Sequence, residues 1–509
     1  MTTQRSSQRD YARPLIKPIR QNRSSEGKQV SFCVLWEERL KPLRQLVLLF
    51  TVGSLSLAAA DQPNATLPSP LTLETAVKYA LAHYPQIRAA LERRAAANGG
   101  IALARTAYFP SANALWQSNR ATRNNIFGLL LPQQVIPSLT GPVLPTTSNQ
   151  SVWGSAAGML VSWEPVDFGY RRASVDAARA GARVASAEVE ITQIDIASAT
   201  AATFISVIDA QQTIRAAQAD VDRREVFSRS VHVLVQNQLR PGADASRSDA
   251  ELAAARIVLI QARTNERVAL VALANLLGVS PDALRLDATP LIDRAPALPE
   301  ANPNIAANPV ASAQNARLQQ ADAQIHVLDR SYFPHFNLQS SVSARGSGAN
   351  VDGSIGSGTD GLGLQRENWA VGLTASFPVL DLFSIRARKQ IASANERAEK
   401  ARYQQTVQDI SAEVAQAQAR LEGAIAIAQA TPAELQAARD AETQARARYQ
   451  AALANVVEVT DAQSLLIRAE SDDAASKLNA WRALVGLAAA EGNFTQFLDA
   501  VRSISTGGH

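Results

Sequence analysis

The sequence predicts a mainly α-helical fold with a small β part, in which a helix, two strands and a long helical hairpin occur twice. Three observations predict it. The first is an internal repeat at a constant offset. Ser162-Trp163-Glu164-Pro165-Val166-Asp167-Phe168 matches Ser376-Phe377-Pro378-Val379-Leu380-Asp381-Leu382, and Ala269–Ala274 matches Ala483–Ala488, so that 162 maps to 376 and 269 to 483. The second is a stretch from Val166 to Arg240 without proline, long enough for a helix of about 100 Å at 1.5 Å per residue. The third is a set of segments in which apolar and small polar residues alternate with period two, the mark of a strand with two unlike faces.

Composition narrows the function classes. The chain has 509 residues, 46% hydrophobic but only 5% aromatic. Alanine, the best helix former, supplies much of the apolar count and lets helices pack closely. One cysteine excludes a disulfide scaffold, a zinc ribbon and an iron–sulfur site. The five histidines are scattered without metal-ligand spacing. Residues 1–60 carry ten Lys/Arg against four Asp/Glu, which leaves 40 basic and 42 acidic residues in the remainder. The basic character therefore belongs to the leader, and no nucleic acid is expected as a partner, because phosphate binding needs a basic patch on the folded part.

Taken in order, residues 1–60 read as a leader and signal peptide. Arg39, Lys41 and Arg44 precede an apolar run from Leu46 to Leu57, and Ala58-Ala59-Ala60 follows. That is a charged region, a short apolar core and a small-residue cleavage site, too short to span a bilayer as a helix. The sole cysteine, Cys33, precedes the apolar run and would leave with it. Residues 61–278 form a first structural repeat, with a helix over Thr72–Ala107, strands at about 111–120 and 151–163, and a helical hairpin over 167–278. A Pro-rich linker covers 279–309. Residues 310–492 form the second repeat, with strands at about 336–346 and 368–378 and a hairpin over 381–492. Residues 493–509 are a C-terminal tail.

The first long helix shows two stripes, Val184, Ala187, Ile191, Ile194, Ser198, Ala201, Ile205, Ile208 on one side and Val189, Ile196, Thr203, Ala210 on another. Two stripes predict a helix packed between several neighbours. In the second repeat Thr431-Pro432-Ala433-Glu434 has the form of an N-cap, a proline at the first helical position and a capping-box acid. A kink or restart is expected there. The acids Asp167 and Asp381 are expected as helix caps or first-turn dipole partners.

The strands carry the functional signal. Trp369, Val371, Leu373, Ala375 and Phe377 alternate with Ala370, Gly372, Thr374 and Ser376; Trp153, Met159 and Trp163 repeat the pattern in the first half. An apolar face with aromatics at both ends, opposite a small polar face, fits a membrane-barrel strand between lipid and an aqueous lumen. Four strands cannot close a barrel, since the smallest common membrane barrels have eight, so the pattern asks for a homo-oligomer that pools its strands.

In this order, the elements resemble the TolC-like outer-membrane factor family over about residues 70–495. The resemblance rests on Leu71-Thr72-Leu73-Glu74-Thr75-Ala76, on the two Tyr-Phe-Pro turns at Tyr108-Phe109-Pro110 and Tyr332-Phe333-Pro334, and on the second hairpin tip. There Tyr449 to Gln463 is similar to the family pattern Tyr-x-x-Gly-x-x-x-x-x-Asp-x-x-Asp-Ala. The resemblance implies a homotrimer, a trimeric α-helical barrel on a shared twelve-strand β-barrel in outer-membrane lipid, a periplasmic adaptor and an inner-membrane pump of proton-driven or ABC type. It implies no covalent chemistry and no cofactor.

At the tip, Glu458 and Asp461 lie three apart and share a helix face. The repeat offset sets Asp244 against Glu458 and Arg247 against Asp461. In a trimer these acids would ring one axis, a cation-attracting constriction. The resemblance assigns Tyr449 to a tip latch, to which Arg247 is a candidate partner. Ala452 stands where the family often has Gly, and Ala454 where some members have a latch arginine. The reading is thus an exit channel of a tripartite efflux or type I secretion system, opened at its tip by adaptor and pump. The alternative is a periplasmic coiled-coil scaffold or adaptor without a pore. No nucleophile elbow or phosphate loop supports an enzyme.

Overall fold

Local chemistry at the chain's prolines and glycines sets where its helices begin and end. In the computed structural model, residues 69–124, 147–287, 289–299 and 304–506 are described; the leader and most of the first interstrand loop lie outside them. Thr72 and Thr75 form a reciprocal cap at the start of α1 (Leu73–His83). Pro85 then opens a separate helix, α2 (Pro85–Thr106), because the residue before a proline is held extended. The single helix expected over Thr72–Ala107 is therefore two.

Each repeat continues with a strand pair and a hairpin. The first has β1 (Ser111–Thr122), β2 (Ser151–Val166), α3 (Tyr170–Gln236) and α4 (Gly242–Leu277). The linker holds the short α5 (Thr289–Asp293). The second repeat has α6 (Pro309–Arg330), β3 (His335–Ser347), β4 (Arg366–Ser376), α7 (Asp381–Gln450) and α8 (Val456–Glu491). Both hairpins end on a left-handed glycine, Gly278 at φ 68° and Gly492 at φ 70°. Gly492 has a second reason to be glycine: a Cβ there would lie 2.3 Å from Pro309 Cδ.

α7 runs unbroken through Pro432, so the expected restart at Thr431 is absent. Instead of capping, the Thr431 hydroxyl contacts Ser476 Oγ at 3.0 Å and donates to Asp473 Oδ1 at 3.2 Å on α8. Packing along the whole of α8 outweighs one missing backbone donor. Asp167 accepts the backbone N–H of Arg171 at 2.6 Å and of Gly169 at 3.3 Å, at the start of α3, while Asp381 is the first residue of α7.

α3 packs against α1, α2, α4, α6 and α8. Both stripes supply buried residues, Ala187, Ala201, Ile205 and Ile208 from one, Val189 and Ile196 from the other; Phe204 and Val207 between them are also buried. The main core lies partway along the hairpins, where Phe204, Ile208, Leu273, Leu421, Leu478 and Trp481 meet. The linker crosses this core. Leu71 donates its N–H to Arg285 O at 2.7 Å, and Trp481 Nε1 donates to Arg294 O at 2.9 Å. Residues 493–509, expected as a tail, include a helix, α9 (Thr495–Thr506), whose Phe497 sits edge-on to Trp481. Arg502 bonds Glu74 at 2.6 Å and, with Lys78, holds that carboxyl down to about 2.

The four strands form one antiparallel sheet in the order β1-β2-β3-β4. Cross-strand partners share a face, and the register sorts most residues by polarity, with Leu115 and Leu160 on the polar face and Arg120, Ser340 and Glu367 on the apolar one as exceptions. Ala114, Trp116, Ala157, Met159, Val161, Leu338, Val342, Trp369, Val371 and Leu373 lie on one face. Asn113, Gln117, Gly158, Ser341, Ser343, Gly372 and Thr374 lie on the other. The apolar face is open: Trp116 is 75% exposed, Trp369 77% and Leu373 65%. Trp163 is on this face, and Phe377 is exposed one residue past β4. Trp153 is half-buried beneath the Arg120 guanidinium, 5.5 Å from its ring centre. Where the sheet joins the helices, buried Arg171 stands 3.1 Å from Asp167 and donates to the carbonyls of Ala107 and Glu164.

The two faces make different demands on a substitution. With lipid on the apolar face, Leu373→Arg should cost about 2–4 kcal/mol near the midplane and deplete the assembled form. Thr374→Arg, one residue along on the polar face, should cost less. Semi-native gel mobility of the two variants checks this; equal loss would mean that the assignment of the faces is wrong.

Candidate functional site

The two hairpins turn side by side, and the repeat writes the same turn twice. Gln238 and Ala452, which occupy equivalent positions in the two repeats, are both left-handed, at φ 57° and φ 60°. Leu239 N donates to Leu234 O at 2.9 Å, and Leu453 N to Arg448 O at 2.8 Å. An L-residue with a Cβ costs roughly 1–2 kcal/mol in this conformation, which explains why the resemblance expects glycine at Ala452. Asn455 caps α8, its Oδ1 accepting from Glu458 N at 3.0 Å.

The turns are fastened by Tyr449 and Arg240. Tyr449 is 2% exposed and packs edge-on to Phe227, with Val231, Ala245, Val456 and Val459 around it. Its hydroxyl donates to Asp244 Oδ2 over 3.4 Å. Burial, with the Asp244 carboxylate beside it, holds the phenol above its ordinary range. Arg240 lies 4.3 Å from the Tyr449 ring centre. One of its Nη atoms donates to Tyr449 O at 2.9 Å and Ala454 O at 3.3 Å. Tyr449 O also accepts the Ala452 N–H at 3.1 Å; both carbonyls lie at the end of α7 and its turn, where a positive charge is favoured.

The tip residues expected from the sequence fall into two groups. Asp244 and Tyr449 are brought together. Glu458 and Asp461 share an exposed face of α8 and do not reach Asp244's partners; the Glu458 carboxylate has only Arg448, at 3.9 Å, as an ion-pair partner among the described residues. Arg247 is exposed and makes no ion pair among the described residues. The arginine that reaches the tip within the chain is Arg240 instead. A signal for it was present: the repeat offset carries Ala454 back onto Arg240, so the arginine missing from one repeat stands in the other.

Above the tip is a network that sequence reasoning missed. Arg223 forms a two-bonded pair with Glu470 at 2.8 and 3.2 Å. Arg224, 6% exposed, meets Asp220 at 2.8 Å, Glu251 at 3.0 Å and Ser464 Oγ at 3.3 Å. These bonds tie α3 to α4 and α8, so α8 cannot move away from α3 without exchanging them for water. The arginine doublet in an alanine-rich helix was the available signal. Lower down, Asp249 receives Ser228 Oγ at 2.8 Å and pairs with His232 at 2.9 Å, and both groups hold its carboxyl below the usual range.

The sequence profile of the family described as outer membrane efflux protein matches residues 76–279 and 304–493. Protein CyaE of Bordetella pertussis is 28% identical over 421 residues, covering 79% of this chain and 80% of that protein. Among solved structures, the outer-membrane channel OprN superposes with a TM-score of 0.67 at 23% identity, covering 83% of this chain and 90% of its own. The CmeC outer membrane channel of Campylobacter jejuni gives 0.66 at 16% identity, covering 85% and 88%. At these identities the structural likeness speaks for the fold.

Removing the fastening should loosen the tip without unfolding the chain. Arg240→Gln should raise amide exchange across 448–456 by roughly tenfold, equivalent to about 1.4 kcal/mol. Tyr449→Phe, which loses one long bond and keeps the ring, should change it less. An Arg240→Gln variant with the exchange pattern of the parent would show that the carbonyl contacts hold nothing.

Proposed function

The chain belongs to the outer membrane efflux protein family, and we propose that it acts as a homotrimeric exit duct, opened at its periplasmic tip by an adaptor and an inner-membrane pump. It is an outer-membrane channel protein with a long periplasmic helical part, and not an enzyme. The observation that supports the duct most is the sheet. One largely apolar face runs across four strands, and among the described residues the strands at both margins are unpaired along one edge. In a bilayer no water satisfies an open edge, so spanning sheets close on themselves. Three copies would supply twelve strands with the apolar face toward lipid and the small polar face toward the lumen. A scaffold or adaptor without a pore has no use for such a face.

The helices support the same reading. Ile257, Ile260 and Val268 on α4, and Phe383 and Ile391 on α7, are more than 60% exposed in the single chain. Neighbouring copies would cover them and complete a helical barrel. The tip would then work as the gate. Asp244, Tyr449 and Arg240 hold the turns of one chain together, while Glu458 and Asp461, on the exposed face of α8, would line the axis. Six carboxylates there would repel one another, attract cations and favour separation of the tips once the fastenings are released. A wall of small polar groups is permissive, so cargo choice between efflux and type I secretion would rest with a proton-driven or ABC pump.

Two measurements test the proposal. Mass in detergent should correspond to three chains, and a monomer would sink the shared barrel. In planar bilayers, Glu458→Ala combined with Asp461→Ala should lower block by divalent or trivalent cations added from the periplasmic side and reduce cation preference, with the trimer retained. Unchanged block and selectivity would place the constriction elsewhere.

A further inference from the structure

The internal repeat also carries information about a contact between copies. The two strand hairpins are built in the same register. The offset of the Tyr-Phe-Pro turns, which takes Tyr108 to Tyr332, lays β1 on β3; the offset of the hairpins, which takes Asp167 to Asp381, lays β2 on β4. The observed pair Ser111 with Ser162 then becomes His335 with Ser376, which is the observed pair in the second hairpin. At the other end, Ala121 with Val152 becomes Arg345 with Arg366, also as observed.

Between the hairpins, β2 joins β3 as Ala157 with Ala344, Gly158 with Ser343, Met159 with Val342, Leu160 with Ser341 and Val161 with Ser340. This is the junction where one repeat ends and the next begins. In a closed barrel, stagger and tilt are linked around the ring. Repeats with the same internal register therefore call for the same stagger at every junction. The end of the second repeat must meet the start of the first repeat of a neighbour as β2 meets β3.

We infer that β4 of one copy pairs with β1 of the next in the register Val371 with Arg120, Gly372 with Asn119, Leu373 with Ser118, Thr374 with Gln117 and Ala375 with Trp116. The inference rests on the shared-barrel reading and adds to it the interface itself. Its side chains fit. The pairing keeps the faces in phase: Leu373, Ala375 and Trp116 share the apolar face, and Gly372, Thr374, Gln117 and Asn119 share the polar one. The largest side chain, Trp116, falls opposite the small Ala375. Thr374 and Gln117 can bond across the junction, and no two like charges are opposed. A slip of one residue would put Trp116 on the polar face.

Disulfide trapping tests it. In a Cys33→Ser background, Gln117→Cys with Thr374→Cys, and separately Asn119→Cys with Gly372→Cys, place cysteines on the two margins of the same sheet. Within one chain their strands are three spacings apart, about 14 Å, and Gln117 falls across the sheet from Arg366 rather than from Thr374, so the pairs are beyond disulfide reach. Directly opposed residues on paired strands are within reach. After oxidation with copper phenanthroline in native outer membranes, both in-register variants should run as covalent trimers on non-reducing denaturing gels and return to monomers with reductant. The pairs shifted by two residues, Gln117→Cys with Gly372→Cys and Asn119→Cys with Thr374→Cys, should cross-link at least fivefold less. Efficient cross-linking of the shifted pairs in place of the others would overturn the register while leaving the shared barrel standing. No cross-link at any pair, in protein that still has the mass of a trimer in detergent, would overturn the joining of β4 to β1. A monomeric mass would instead be the failure of the shared barrel.

Discussion

A β-sheet that stops at two open edges leaves rows of backbone donors and acceptors that hydrocarbon cannot satisfy. Much else in this molecule follows from that constraint. The chain supplies four strands among its described residues, too few to close, with an apolar face left bare. No described residue covers Trp116, Trp369 or Leu373. In the assembly proposed for it, the fold is one segment of a ring, and its apparent faults as a single molecule are the joints.

Duplication is the economical way to build such a ring. The same turn, with a left-handed residue at Gln238 and Ala452, and the same C-terminal glycine, at Gly278 and Gly492, recur at one offset. The copies then diverge where they meet different surroundings. Buried Arg171, which anchors the sheet to the first hairpin, is Ile385 in the second. Arg240, which spans the two turns, is Ala454 in the second.

Stability and movement are separated along the length of the hairpins. The apolar core around Trp481, Phe204 and Leu421, closed over by the linker and α9, concentrates burial in one zone. Toward the tip the apolar clusters are smaller, around Leu259, Leu466 and Tyr449, and buried polar bonds join them: the Arg223–Glu470 pair, the Arg224 cluster, then Tyr449 and Arg240. Hydrogen-bonded pairs exchange with water at modest net cost, whereas a packed core does not. In the duct proposed for the chain, this division would let the tip rearrange while the middle stays fixed.

Period and spacing by themselves determined the two repeats, the long hairpins, the alternation of the strands and the residues of the second turn. Each of these is local or is repeated at a constant offset, so it shows in one dimension. The sequence misjudged places where a local signal competes with packing. Thr431-Pro432 has the form of a helix start, yet contact with α8 carries the helix through it. Pro85 went unweighed as a break, and the terminal segment hid a helix whose Phe497 docks on Trp481. At the tip, Tyr449 could be named from the resemblance and Asp244 from the repeat offset, but which arginine meets them could not. Arg240 and Arg247 both stand at one hairpin turn, and only the packing of one turn against the other decides which of them faces Tyr449. The Arg223–Glu470 and Arg224–Ser464 bonds join residues 247 and 240 apart in the chain. No local pattern marks such a pair, and only the tertiary structure brings the partners together.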